Sequence, residues 1–487
     1  MKTLVVFLSA FCLAAGAVEL PSLEPVLSWD FRQGSQGWEI PGAFVASQEF
    51  TPGGFVLEVL EGDPFLIGPF VQGPGPDKAL LVTVTMSTTA DSWIQVFYAD
   101  TETDGDYNPY HKRHVSVVPD GAMRTYEVAI RPLSGRARLR LDPASRSGGR
   151  IVLHRITVQQ FPKSRGYAFS PPARVSTAAT DPAVESGPLL ITHGSGPWGR
   201  YVISLDGRRW AQGDPDSRIG YLHDGQETWC SLAAAETTVH REGAALLIDA
   251  RLRDPHGGEW RLRRRFSPGP AAGTVTVETA FRCDADRNVL HLPFLTVFAG
   301  LGSFGTEKHQ AVFPGLEYLA DEPSSSDVDF HTPDQDRRLP DLQKVTFPLL
   351  AVEHAGRCLG LAWEMDPHLQ PVFDSPDRLF GSASHLMAVW APAVGDHRLE
   401  GDPHALLPLP LTGGDTFSAT VYLLAETGRH NVTGVIDRYL ATVGLPEPPP
   451  LDDSPATAAA RLSRGWLDSD ITDEQDRFLH AIRFTGP

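Results

Sequence analysis

The chain has little cysteine, with four residues in 487. Cys12 lies in an apolar N-terminal stretch, and the other three, Cys230, Cys283 and Cys358, are far apart. Three widely spaced cysteines exclude a disulfide framework, although they allow one disulfide. They also lack the close Cys or His pairs of a structural zinc site. We therefore expect mainly buried free thiols, since cysteine is among the most buried residue types.

The chain also lacks an apolar run long enough to cross a membrane. The strongest run, from Leu4 to Ala15, falls short of the roughly 20 residues that a spanning helix needs. Lys2 precedes this run and small residues follow it at 15–17, which is the pattern of a cleavable export signal. We expect residues 1–17 to be a signal peptide and the mature protein to be secreted or periplasmic.

Positive charge is scarce, because 42 Lys and Arg stand against 60 Asp and Glu, for a formal net charge of -18. Phosphate recognition depends on cationic contacts, so nucleic acid and anionic membranes are not expected partners. The run Arg261–Arg265 is a local exception. Its alternation with Trp260 and Leu262 predicts a half-buried strand with exposed arginines, which an acidic polysaccharide could still use.

Turn-forming residues are abundant, with 45 Gly and 41 Pro, and they separate many short β-like runs. Examples lie at 54–59, 79–86, 93–98, 124–130, 151–158, 244–252, 259–266, 274–282, 289–298, 345–353 and 416–424. This spacing predicts a mainly β chain with two antiparallel sandwich domains. We place the domains at 18–160 and 187–447, joined by a Pro- and Ser-rich linker at 161–186.

Two stretches of the first domain carry a family resemblance. The opening Trp29-Asp30-Phe31 with Gly37-Trp38, and the close 139–143 with 151–156, resemble the jelly-roll modules appended to carbohydrate-active enzymes. In such carbohydrate-binding modules, aromatic faces and planar polar groups hold the sugar rings.

The resemblance implies a set of substrate-binding side chains in the first domain. They are Trp93, Tyr98, Tyr107, Asn108 and Tyr110. The alternative is that Trp93 and Tyr98 are core residues, because aromatic side chains dominate sandwich cores.

The acidic loop at 100–106 resembles a calcium-binding loop. Asp100, Asp104 and Asp106 place oxygen ligands at alternating positions, and the glycine between the last two allows a sharp turn. Glu102 stands where Asp or Asn is usual, and His111 stands where a bidentate Glu should be. We therefore expect no cofactor, with calcium in this loop as the alternative to a solvated hairpin tip.

The long antiparallel strands after residue 187 resemble the super-sandwich of galactose-mutarotase-like domains. That fold commonly precedes a helical (α/α) toroid in glycoside hydrolases and related polysaccharide-processing enzymes. Here Asp453 or Ser454 can cap a helix over Ala456–Leu467, and a second helix is expected from Thr472. We expect 448–487 to form a helical hairpin, and the resemblance makes it the start of such a toroid.

Candidate catalytic groups lie late in the second domain, between residues 313 and 366. Hydrolysis of a glycosidic bond usually needs two carboxyl groups, one to protonate the leaving oxygen and one to activate water or attack carbon. Glu317, Glu322 and Asp366 are the candidates, with Trp363 as a substrate-binding aromatic. Each carboxylate taken alone is also compatible with a solvent-facing or loop-ordering role.

Three functions are compatible with this sequence. One is an exported carbohydrate-active protein, hydrolase-like or lyase-like, whose catalytic helical part lies beyond residue 487. Another is a non-catalytic protein that binds glycans at a cell surface. The last is a mutarotase-like epimerase, which would need His291 or His309 beside Glu317 as an acid and base pair.

Overall fold

The computed structural model of the chain describes residues 25–42, 44–60, 62–73, 75, 78–90, 93–100, 111–130, 133, 135–144, 148–162, 164–324, 338–395, 398–444 and 454–467. The chain divides into two compact units, Met1–Thr442 and Val443–Pro487. The first unit contains two β-sandwiches, and the described part of the second is mainly one helix.

The first sandwich has eleven strands among the described residues. They are β1 (Leu27–Asp30), β2 (Val45–Thr51), β3 (Gly54–Val59), β4 (Leu66–Ile67), β5 (Val71–Gln72), β6 (Lys78–Thr88), β7 (Trp93–Asp100), β8 (Lys112–Ser116), β9 (Arg124–Ile130), β10 (Arg136–Asp142) and β11 (Gly149–Pro162). One antiparallel sheet has the order β2-β3-β11-β6-β9, with β1 beside β11. The other, a five-stranded sheet, has the order β4-β10-β7-β8, with β5 beside β10.

The second sandwich is larger. Its described strands are β12 (Ala183–Ser186), β13 (Leu189–His193), β14 (Tyr201–Leu205), β15 (Arg208–Gln212), β16 (Arg218–His223), β17 (Gln226–Ser231), β18 (Glu236–Glu242), β19 (Ala245–Arg253), β20 (Glu259–Pro268), β21 (Thr274–Cys283), β22 (Arg287–Ala299), β23 (Gln310–Phe313), β24 (Glu317–Leu319), β25 (Leu349–His354), β26 (Arg357–Trp363), β27 (Gln370–Asp374), β28 (His385–Ala391), β29 (Leu409–Leu411) and β30 (Thr416–Thr427). A ten-stranded sheet has the path β12-β13-β14-β15-β22-β16-β17, with β28 and β29 also on β22 and β27 on β28. A nine-stranded sheet has the order β18-β19-β20-β21-β30-β26-β25-β23-β24.

Each sandwich has its own apolar core, made by the side chains that alternate inward along its strands. The larger core contains fully buried Trp198 and Trp260, and the smaller one contains Phe31 and Phe55. Burying one large aliphatic or aromatic side chain stabilises the fold by roughly 1.5–3 kcal/mol, so two such clusters can support two sandwiches. The predicted mainly β fold with antiparallel sandwiches is confirmed.

The arginine run lies on β20, as expected of a half-buried strand. Arg261 and Arg263 are exposed, and Leu262 is buried. Arg264 departs from the expectation, because its guanidinium is buried over the ring of Trp198 at 4.4 Å and donates to the carbonyl of Phe294 at 2.7 Å. Burial lowers the pKa of Arg264 to about 10.

The two sandwiches touch through the outer face of the six-stranded sheet. Ala79 and Leu81 on β6 and Ala129 on β9 pack against Leu399 and Leu406, which belong to a loop of the second sandwich. This contact buries part of the outer face of the six-stranded sheet. Arg113 on β8 of the other sheet also donates to the carbonyls of Gly395 and Arg398 in the second sandwich.

The segment 164–182, which we call the strap, is irregular but closely bound to the second sandwich. Glu227 on β17 accepts hydrogen bonds from the backbone N–H groups of Arg165 and Gly166. Further along, the N–H of Val175 donates to Gln212 Oε1 at 3.0 Å. The irregular segment is shorter at both ends than the linker predicted at 161–186. The strand β11 continues to Pro162, and β12 begins at Ala183.

Two α-helices lie in the described residues, α1 (Thr433–Val443) and α2 (Pro455–Leu467). The α2 helix confirms the helix predicted from Ala456, and Ser454 Oγ caps it by accepting the N–H of Thr457 at 3.2 Å. The α1 helix was not anticipated. The helix expected from Thr472 lies outside the described residues. None of the described helices is long and apolar enough to cross a membrane.

The three cysteines of the second sandwich are free and buried, as expected. Burial raises the pKa of Cys230 to about 11, and it also raises the pKa of Cys283 and of Cys358. These thiols therefore belong to the packing of the sandwich.

Candidate functional site

The outer face of the five-stranded sheet carries aromatic and cationic side chains. Strand alternation points Ile94, Val96 and Tyr98 into the core, so the residues between them point outward. The outward side chains of the three longer strands are Trp93, Gln95 and Phe97 on β7, Arg136, Arg138 and Arg140 on β10, and Lys112 and His114 on β8. Phe65 and Phe70 beside β4 complete this surface, which we call the aromatic face.

Arginine guanidinium groups lie over the phenyl rings of the aromatic face. The Arg140 guanidinium carbon is 4.4 Å from the ring centre of Phe65 and 4.9 Å from that of Phe97. Arg136 and Arg138 cover Phe70 at 4.1 and 4.6 Å. A cation over an aromatic face is attracted by the ring quadrupole, so these contacts hold planar donors at the surface.

The strand register lines up a second row of planar groups. Residue pairs across β10, β7 and β8 place Asp142 opposite Gln95, and Gln95 opposite His114. The side-chain nitrogens of Gln95 and His114 are 3.2 Å apart, and the ring of Trp93 stacks on His114 at 4.9 Å and 19°. The row thus joins an indole, an imidazole and an amide along one side of the sheet.

Among the described residues, more cations than carboxylates lie on the aromatic face. Arg140 donates to Asp142 through Nε at 2.6 Å and Nη2 at 2.8 Å. Burial raises the pKa of Asp142 to about 6, while Arg140 opposes that shift. Burial and the charge of Lys112 lower the pKa of His114, so His114 is mainly neutral at pH 7. The other cations on this surface are Arg136, Arg138 and Lys112.

The substrate-binding residues predicted in the first domain divide between two sides of the sheet. Trp93 lies half-buried on the aromatic face. Tyr98 is 3% exposed and belongs to the core, so the alternative that it is a core residue holds for this ring. It stacks on His111 at 5.3 Å. A substrate-binding role would need an exposed ring at this position.

The other predicted substrate-binding residues lie outside the described residues. They are Tyr107, Asn108 and Tyr110, and the same holds for Asp104 and Asp106 of the candidate calcium loop. Asp100 ends β7, and its side chain is not described. Both the three-residue set and the calcium loop remain predictions.

Most of the aromatic face was missed by reasoning from the sequence. The signal was the alternation in β10, where Arg136, Arg138 and Arg140 occupy every second position beside buried apolar residues. Strand parity also separates Trp93 from Tyr98, since residues five apart face opposite sides. Phe65 and Phe70 come from loops, and no periodic signal marks them.

Glu317 and Glu322 lie at the β24 edge of the nine-stranded sheet. Glu317 is 7% exposed and accepts the hydroxyl of Ser324 at 2.6 Å. Glu322 is exposed and accepts the N–H of Ala320 at 2.9 Å. The nearly buried ammonium of Lys308 interacts electrostatically with both carboxylates. This network orders the segment that follows β24.

Asp366 lies in a different place, just beyond β26. With Glu278 and Glu364 it lines a cleft of about 210 Å³. The strands β24 and β26 are three steps apart in the sheet, or roughly 14 Å at about 4.8 Å per step. Glycosidase carboxyl pairs are about 5–9.5 Å apart, so this separation does not favour Glu317 and Asp366 as one pair.

Trp363 differs from the surface aromatic that was expected. Its side chain is 1% exposed and is part of the core of the second sandwich. Stacking on a sugar needs an exposed ring, so the packing of Trp363 supports a stabilising role.

His291 lies under the strap, in what we call the covered cluster: Tyr167, Phe169, Trp229, His291 and His404. Tyr167 contacts Trp229 with ring centres 4.8 Å apart, and Phe169 stacks on His404 at 5.1 Å and 3°. His291 is 2% exposed, and its Nδ1 has no hydrogen-bond partner among the described residues. Burial lowers the pKa of His291 well below its usual value, so the ring is neutral.

The His and carboxylate pair proposed for an epimerase is not formed by the contacts described for these residues. His291 contacts Tyr167 and Trp390, whereas Glu317 contacts Ser324 in the other sheet. His309 lies near a different carboxylate, Glu353, with Nδ1 and Oε2 3.7 Å apart.

Comparison with known proteins gives structural likenesses without a sequence family. No family model matches the chain, and no curated protein matches it. A xylan-binding module is similar at 12% identity over 29% of this chain and 100% of its own, with a TM-score of 0.22. A galactose 1-epimerase from Lactobacillus acidophilus is similar at 9% identity over 53% of this chain and 98% of its own, with a TM-score of 0.32.

An α-N-acetylgalactosaminidase from Bifidobacterium bifidum is similar at 13% identity. The match covers 54% of this chain and 38% of that chain, with a TM-score of 0.36. At these scores and identities, the ligands of those proteins do not establish the ligand of this chain.

Proposed function

We propose that the protein binds an acidic polysaccharide through the aromatic face. The observation that carries the proposal is the combination of surface aromatic rings with arginine guanidinium groups placed over them. A pyranose presents C–H groups to an aromatic ring, and a uronate carboxylate accepts paired N–H donors from a guanidinium. Trp93 and Phe70 supply the first kind of contact, and Arg136 and Arg138 supply the second.

The charge of the face favours an acidic glycan over a neutral one. The whole chain is acidic at a formal -18, yet among the described residues this surface gathers three arginines and Lys112 with Asp142 and Asp63. Complementary charge speeds the encounter with a polyanion, and added salt weakens this electrostatic attraction.

Catalysis by carboxylates of the second sandwich is a separate proposal. The acidic cleft at Asp366 is the place where carboxylates gather, and Glu317 and Glu322 remain candidates nearer β24. The buried, strap-covered position of His291 gives little support to the epimerase reading. Export through the signal at 1–17 also remains a proposal, and N-terminal sequencing of the mature protein tests it.

The binding proposal is tested by titrating the full chain with polygalacturonate and with a neutral glucan. Trp93→Ala is expected to weaken polygalacturonate binding about two- to tenfold, in line with roughly 0.5–1.5 kcal/mol for a favourable aromatic contact. Phe50→Ala is the matched control, because Phe50 is a 42% exposed aromatic on β2 in the other sheet. It should leave the affinity unchanged.

Two results would overturn this proposal. Binding to neutral glucan alone would remove the acidic specificity, and equal losses in Trp93→Ala and Phe50→Ala would remove the aromatic face as the site.

A further inference from the structure

Three metal-ligating side chains meet at one end of the nine-stranded sheet. His309 directly precedes β23, Glu353 lies near the end of β25, and His430 follows β30. Their ligand atoms all lie within 4.8 Å of one another. The residues are far apart in sequence, and the pairing of β23 with β25 brings the first two together.

Glu353 is the buried member of this group. Its side chain is 0% exposed, and Oε1 accepts the N–H of Gly356 at 2.8 Å. The other oxygen, Oε2, is buried without a hydrogen-bond partner and lies 3.7 Å from His309 Nδ1. Burying a carboxylate oxygen without a partner costs free energy. A cation or a hydrogen-bond donor at this point would offset that cost.

The backbone holds both histidines close to that oxygen. The N–H of His309 donates to the carbonyl of Glu353 at 2.9 Å. On the other side, the N–H of Gly428 donates to the carbonyl of Gly356 at 2.8 Å, which fixes the loop that carries His430.

The turn beside His430 leaves little room for a side chain. Gly356 has φ +75, and a Cβ there would lie 3.3 Å from the His430 ring. The loop therefore places an imidazole directly against the turn after Glu353.

We propose that His309, Glu353 and His430 bind one transition-metal dication such as Zn²⁺. Two imidazoles and one carboxylate are ligands that Zn²⁺ accepts at about 2.0–2.2 Å, with a fourth position left for water. Such distances require ligand atoms roughly 3.3–3.6 Å apart in a tetrahedral site. Both imidazoles are exposed and can close this gap by side-chain rotation.

The chemistry of the set favours a transition metal over calcium. Ca²⁺ takes six to eight oxygen ligands, whereas two of the three groups here are nitrogen donors. Bound metal would join the turn after β25 to the connection between β30 and α1. This inference is independent of glycan binding, because the aromatic face lies in the other sandwich.

The test uses tag-free full-length protein stripped with a chelator and titrated with Zn²⁺ by calorimetry. One Zn²⁺ per chain is expected, with at least tenfold weaker binding in His309→Asn and in His430→Asn. His240→Asn is the control, because His240 is an exposed histidine on β18 and should bind Zn²⁺ like the wild type. Glu353→Gln keeps the acceptor for Gly356 and should also lose affinity, with its fold checked by circular dichroism.

X-ray absorption at the zinc edge identifies the ligands directly. The expected spectrum shows two imidazole nitrogens, further light ligands and no sulfur. A Zn–S contribution would place the metal at a cysteine and overturn the proposal. The proposal fails if the stripped wild type does not bind one Zn²⁺, or if all the histidine variants bind it equally well. The three side chains would then be neighbours without a shared metal.

Discussion

The aromatic face and the covered cluster both combine aromatic rings with histidine, but they differ in what lies over them. On the aromatic face, Phe70 is 40% exposed and its arginines reach the surface of a sheet. Over the covered cluster, the strap inserts Tyr167 and Phe169 between His291 and solvent. Similar residue types are therefore open to solvent in one sandwich and packed under a covering segment in the other, and we propose recognition only for the open surface.

The largest expected effect concerns Asp214, beside the covered cluster. Burial raises the pKa of Asp214 to about 7, so the folded protein binds a proton there that the unfolded chain releases near pH 4. The stability gained from this proton is fully present below pH 4 and is lost as the pH rises through 7. Asp214→Asn should therefore gain up to about 4 kcal/mol of unfolding free energy relative to wild type between pH 4 and 8.

Urea unfolding of both proteins at several pH values measures that difference. Asp142→Asn is the comparison on the aromatic face, since the pKa of Asp142 is raised only to about 6 and Arg140 opposes the shift. A pH-independent difference for Asp214→Asn would show that the carboxyl is charged in the folded state.

The next effect tests packing under the strap. Phe169 stacks on Trp390 at 5.8 Å and on His404 at 5.1 Å. Phe169→Ala should lower the unfolding free energy by about 3 kcal/mol, because it leaves a cavity among buried rings. Polygalacturonate affinity should be unchanged when measured at a temperature where the variant is folded. A loss of affinity without a loss of stability would move the recognition site to the covered cluster.

Phe70→Ala should show the opposite behaviour. The ring is 40% exposed and supports Arg136 and Arg138, so its loss should cost less than about 1 kcal/mol of stability. The same change should weaken polygalacturonate binding three- to tenfold, as measured by calorimetry, because the arginines lose their fixed orientation. Unchanged affinity would argue that these guanidinium groups do not contact the glycan.

The smallest effect concerns charge at the rim of the aromatic face. Arg138→Gln should weaken polygalacturonate binding by a few-fold at low salt and by less at high salt, because salt screens the charge of this half-buried guanidinium in part. Arg150→Gln is the matched control, since Arg150 is 58% exposed on β11 and pairs with Glu58 in the other sheet. Equal salt dependence in the two variants would assign the effect to net charge alone.

Part of this arrangement could be read from the sequence. The alternation of apolar residues along β7 and β10 predicts both the sandwich and the outward position of Trp93. The same alternation also separates Trp93 from Tyr98. The prediction treated the two rings as one set because it used their proximity in sequence instead of strand parity.

Other features depend on contacts that no periodic pattern encodes. The β26 strand is buried on both faces because α1 packs Val435 and Tyr439 against the outer side of its sheet, so Trp363 and its neighbours show no alternation. The strap has no regular structure, and its position over His291 follows from the acceptors on Glu227 and Gln212. Likewise, His309, Glu353 and His430 meet only through strand pairing.

A crystal structure of the full chain soaked with an acidic oligosaccharide tests the central claim most directly. If the aromatic face binds the glycan, we expect ligand density over Trp93 and Phe70, with a ligand carboxylate within hydrogen-bond distance of Arg136 or Arg138. Density in the covered cluster or in the cleft at Asp366, with the aromatic face bare, would contradict it.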